Sequence, residues 1–92
     1  MNITLLDRRH NGYGIFDYMV TPTGSNLHER IHQFHKWRSW LWEIYGPSME
    51  LQYTAYFRHQ GRHCDWAWDT EHNRMRLYVK TPVLSNFALK WA

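Results

Sequence analysis

Three histidines, His28, His32 and His35, follow one another at spacings of four and three residues, which on a helix gathers their imidazole nitrogens on one flank, as a metal site requires. The run His28-Glu29-Arg30-Ile31-His32 carries the letters H-E-x-x-H, but helix-flank histidines are common without a ligand, so the expectation is a solvated polar face that holds no metal. A second gathering, from Arg58 to Asp65, puts His59, His63, the thiol of Cys64 and the Asp65 carboxylate around a Gln60-Gly61 turn, where a thiol beside an imidazole would be a nucleophile. Period-two alternation places Cys64 with Trp66 and Trp68 on the inward face and His63 on the opposite one, so the thiol is expected to behave as a small buried hydrophobe. No phosphate-binding loop, G-x-S-x-G elbow or pair of C-x-x-C motifs is present, and neither catalysis nor a cofactor is expected.

Two further sets suit binding. Arg58, Arg74, Arg76 and Lys80 alternate along strand-like segments with Tyr56 and Tyr78, which together can grip phosphates and stack bases. If the hairpins close at their Gly and Asn turns, Asp69 faces Arg74, Ala67 faces Arg76, and Asp65 lies between Tyr56 and Tyr78. Interleaved charges and rings of this kind also make an ordinary solvated sheet face with cross-strand ion pairs. The other set is Trp37, Trp40 and Ile44, which project about 80 to 140 degrees away from the main apolar stripe of their helix at about 100 degrees per residue. One layer of sheet does not cover both surfaces, so either a terminal segment folds over this flank or its large aromatics anchor a partner. With Trp42 nearby, an open flank implies a homo-oligomer or an obligate partner.

The elements that must position these residues are readable in outline. Ile15 to Val20 is a short β-prone run between Gly-rich and Pro-rich turns, and Ile3 to Leu6 can add an edge strand. Asn26 with Glu29 three residues on predicts a helix start, and Gly46-Pro47 predicts its end. Between them Leu27, Ile31, Phe34, Leu41 and Tyr45 form the expected core stripe, with Arg38 on the same stripe reaching past the core edge or pairing with a carboxylate. Alternation then predicts strands over Met49 to Arg58, Cys64 to Asp69 and Arg74 to Lys80, and Thr81-Pro82 opens a second helix to about Leu89, whose tail can instead end as a strand. The expected fold class is α+β: a three- to four-stranded antiparallel sheet in the order β-α-β-β-β-α, with one long and one short helix packed on one face.

Its 92 residues fit one domain. Hydrophobic residues at 43% and aromatics at 17%, including six Trp and six Tyr, exclude a disordered chain. The net charge of +3 is compatible with a polyanionic partner without demanding one. Cys64 is the only cysteine, so stability rests on packing. The start of the chain lacks the pattern of a secretory signal and no segment has the length of a membrane span, which leads us to expect a cytoplasmic protein that meets no membrane.

From Asn26 to Trp91 the element order is similar to that of double-stranded-RNA-binding domains, in topology alone. The last helix of those domains starts with a Lys-rich cluster, whereas here Thr81-Pro82-Val83-Leu84-Ser85 carries no basic residue. The dense, Trp-rich, motif-free character looks like that of small accessory proteins of bacterial viruses. The function expected first is therefore a non-enzymatic protein-interaction domain, self-associating or docking on a larger protein through Trp37, Trp40 and Ile44. The alternative is an RNA- or single-stranded-DNA-binding domain that uses Tyr56, Arg58, Arg74, Arg76, Tyr78 and Lys80.

Overall fold

The structure, a computed structural model, describes residues 1–10, 13–48, 65–70 and 74–91. Its elements are β1 (Asn2–Leu5), β2 (Tyr18–Thr21), α1 (Leu27–Tyr45), β3 (Trp66–Asp69), β4 (Arg76–Val79) and α2 (Thr81–Trp91). The strands form one antiparallel four-stranded sheet in the order β1-β2-β4-β3, and this is the α+β class that the sequence predicts. The predicted strand from Met49 to Arg58 and the turn at Glu71-His72-Asn73 lie outside the described residues. So do Cys64 and His63 of the turn cluster.

Local chemistry sets the ends of both helices. The Asn26 side chain accepts from the Glu29 backbone N–H at 2.9 Å, and Glu29 reaches back to accept from the N–H and hydroxyl of Ser25 at 3.1 and 3.0 Å. The reciprocal arm of this cap thus lands one residue before the Asn. At the other end Gly46 takes φ 85° and ψ −164°, a conformation essentially restricted to glycine, and its N–H returns to the Trp42 carbonyl at 2.9 Å. For α2 the cap comes from far along the chain: one carboxylate oxygen of Asp17 accepts from the Thr81 N–H at 2.8 Å and from its hydroxyl at 2.9 Å. The predicted helix opening at Thr81 is present, and the segment to Trp91 is helical throughout.

Both helices contribute to a core on one face of the sheet. Val20, Trp66, Leu77 and Val79 from the strands meet Phe34, Trp37 and Leu41 of α1 and Val83 and Phe87 of α2. The buried line of α1 therefore differs from the predicted stripe. Trp37 replaces Leu27 and Ile31, which are exposed, because α2 packs against the flank that carries Trp37 and Trp40 and draws it inward. Arg38 lies at the core edge, its guanidinium 4.3 Å from the centre of the Trp68 ring. Aromatic rings of the two helices meet edge to face, with Trp37 and Phe87 centroids 5.1 Å apart.

The second face of the sheet is also partly covered. Ile15 and Phe16, predicted to belong to a strand, precede β2 and instead turn over this face, where Phe16 and Leu6 bury Ala67 and Tyr78. The β3–β4 register is a second correction. Asp69 pairs with Arg76 and Ala67 with Tyr78, two residues on from the predicted partners, because the connection spans 70–75.

Candidate nucleic-acid interface

On the second face, beyond the Leu6–Phe16 cover, lies an open groove of about 580 Å³. Met19 and Thr21 of β2 and Arg76 of β4 share this side of the sheet by strand alternation. Pro22 after β2, Met75 and Arg74 before β4, and Arg30 from the first turns of α1 complete one wall. Arg9 and His10 complete the other, and they come from the turn that follows β1.

Among the described residues, four guanidinium groups therefore line the groove and no carboxylate does. Each is held differently. Arg9 forms a two-pronged ion pair with Asp7, with an Nη2 to Oδ2 distance of 2.8 Å, and its own N–H also donates to that carboxylate at 2.9 Å. The Arg9 side-chain hydrogen bonds, followed by the one from its backbone, hold the Asp7 carboxyl well below the usual carboxylate range, and Asp7 in turn raises the Arg9 pKa. The pair is solvent-exposed, so it shapes the turn more than it stabilises the fold. His10 Nδ1 accepts from the Asp7 N–H at 3.0 Å, which closes the same turn.

Arg76 is anchored by Asp69 at 2.9 Å, with both side chains mostly buried. Arg30 donates to the Gly24 carbonyl at 3.1 Å, and a Cβ at Gly24 would meet the Arg30 stem at 3.3 Å, so glycine there lets the two approach. Arg74 is exposed and has no ion pair among the described residues.

Only part of the predicted basic face is assembled here. Arg74 and Arg76 line the groove, whereas Lys80 lies outside it, next to the start of α2. Tyr78 is 1% exposed and its hydroxyl donates to Asp69 at 3.2 Å; with its ring beneath Leu6 and Phe16 it offers no surface for stacking. Tyr56 and Arg58 lie outside the described residues. Arg9, His10 and Arg30 were not singled out by sequence. The Arg8-Arg9-His10 run was the available signal, but only the pairing of β1 with β2 beside β4 brings it to Arg74 and Arg76.

The helix flank is corrected in the same way. Trp37 is buried, Trp40 is half-buried between Tyr45 and Phe87, and of the three flank residues only Ile44 is exposed. The second helix is what covers this flank. His28, His32 and His35 are all exposed on α1, and the described residues contain no group of three potential metal ligands. No helix among the described residues is long and apolar enough to cross a membrane. No family model matches the chain, and no curated protein or solved structure matches it either.

Proposed function

We propose that the chain is a non-enzymatic domain that binds the phosphate backbone of a nucleic acid in the groove between Arg9, Arg30, Arg74 and Arg76. The observation that carries this reading is the convergence of four guanidinium groups from three segments on one concave surface with no carboxylate among the described residues of its lining. Guanidinium matches phosphate oxygens in pairs, and Asp7 and Asp69 leave two of the four partly neutralised while fixing their direction. Among the described residues no Trp, Tyr or Phe lines the groove, so phosphate contacts dominate and binding depends only weakly on base sequence.

Fluorescence anisotropy with a labelled mixed-sequence oligonucleotide, single-stranded and as a duplex, tests the proposal across a salt series. With two to four phosphates neutralised, log K falls against log salt with a slope of about −2 to −4 on duplex, from about 0.9 per phosphate. Replacing Arg30 and Arg74 together by Gln lowers the magnitude of the slope by about 2. No binding at low salt, or a double variant that binds as the parent does, would end this reading. For the protein-docking reading, Trp37 is buried and Trp40 half-buried, which leaves Ile44 exposed on that flank, and its further support lies on another surface.

A further inference from the structure

Beside α1, on the side of the core near β3, two recesses meet at one side chain. The larger, of about 520 Å³, is lined by Leu27, Ile31, Phe34, Met75 and Arg38, with Thr70 and Arg74 at its rim. The smaller, of about 350 Å³, continues past Arg38 to Ser39, Trp42 and Trp68. Leu27, Ile31 and Trp42 are each more than half exposed, so apolar surface remains open along the whole cleft.

Arg38 is the chemically distinctive member. Its guanidinium stacks on Trp68 at 4.3 Å from the ring centre and lies 5.4 Å from the centre of Phe34, an arrangement that leaves the donor edges of the plane free to bond. Its Nε is buried without a hydrogen-bond partner among the described residues, and burial lowers its pKa. A partly desolvated cation with an unmet donor costs stability until an anion meets it. Among the described residues, neither recess has a carboxylate in its lining. A carboxylate set among apolar groups complements this cleft in charge and in polarity.

We infer that the cleft between α1 and β3 docks a protein partner segment in which an aspartate or glutamate is flanked by large apolar side chains. The carboxylate pairs with Arg38 and the flanking side chains fill the recess walled by Leu27, Ile31 and Met75. This surface is separate from the basic groove apart from Arg74 and Met75, which border both, and the inference does not rest on nucleic-acid binding.

The test titrates the intact chain with a pool of short blocked peptides having Glu at the centre and Leu, Ile, Phe or Met around it, against a second pool with Gln at the centre. Emission from Trp42 and Trp68, which line the cleft, reports occupancy. The Glu pool binds about 10- to 100-fold more tightly than the Gln pool, the span expected of one charge-assisted contact. Arg38→Met abolishes that preference, and Ile31→Asp, at an exposed position, abolishes binding of both pools. Equal affinity for the two pools, or no binding of either, overturns the inference. So does light scattering that finds a dimer which Ile31→Asp dissolves, since a second copy is then the occupant. If near-UV circular dichroism shows Arg38→Met to be unfolded, Ile31→Asp and the Glu-to-Gln comparison decide alone.

Discussion

Asp69 accepts from Arg76 Nε and Nη2, both at 2.9 Å, and from the Tyr78 hydroxyl at 3.2 Å, with the Asp69 and Arg76 side chains only 12% and 16% exposed. Exposed pairs contribute about 0–1 kcal/mol, while breaking a fully buried one costs about 3–5 kcal/mol. Asp69→Asn, which removes the carboxylate charge from a pair in an intermediate setting, should cost about 2 kcal/mol. Urea denaturation followed by Trp fluorescence measures it, and a loss below about 0.5 kcal/mol would mean that solvent screens the pair. This residue also explains why the predicted register was two positions out. A slip of two keeps every side chain on its own face, so alternation cannot tell Arg74 from Arg76 as the partner of Asp69. What selects Arg76 is a three-body contact with Tyr78, and a linear pattern does not contain it. The same contact took Tyr78 from an expected stacking surface into the core.

At the scale of elements, the helices were legible because their ends are coded locally. Asn26 and Glu29 mark the start of α1, Gly46 and Pro47 its end, and Thr81-Pro82 the start of α2. Helix rotation was less legible. Leu27 and Ile31 fit a helical stripe as well as Trp37 does, and only the arrival of α2 against Trp37 and Trp40 decides which line is buried. The basic groove was legible for Arg74 and Arg76, but Arg9 and Arg30 join it through tertiary pairing. Asp17 illustrates how such distant terms act. It serves as the side-chain cap of α2 from a position 64 residues earlier, so Asp17→Ala should cost about 1 kcal/mol, the usual value of a cap. Hydrogen exchange offers the direct measurement, since the Thr81 amide loses its acceptor. An unchanged exchange rate at Thr81 would show that water substitutes for the carboxylate.

Across the whole molecule, stability is concentrated where the two helices and the sheet converge. Phe87 is 0% exposed and its ring contacts Trp37, Trp40 and Trp91. Truncating a buried Phe costs about 3–5 kcal/mol, against about 5–15 kcal/mol available to a domain of ordinary stability. Phe87→Ala should therefore lower the melting temperature by more than about 10 °C, read by calorimetry, since about 1 kcal/mol moves a domain of this size by 4–8 °C. A shift under about 4 °C would mean that the aromatic layer repacks around the gap.

The strand order β1-β2-β4-β3 places β2, from the first quarter of the chain, directly against β4, from its last. During synthesis β2 and α1 are therefore finished well before the residues that cover them. At about 5–20 residues per second, roughly 3 to 10 s separate the making of Trp37 from that of Phe87. Through that interval Val20, Phe34 and Trp37 have no Leu77, Val79 or Phe87 to close over them, and the nascent chain presents its aromatic surface to whatever chaperone stands at the tunnel exit.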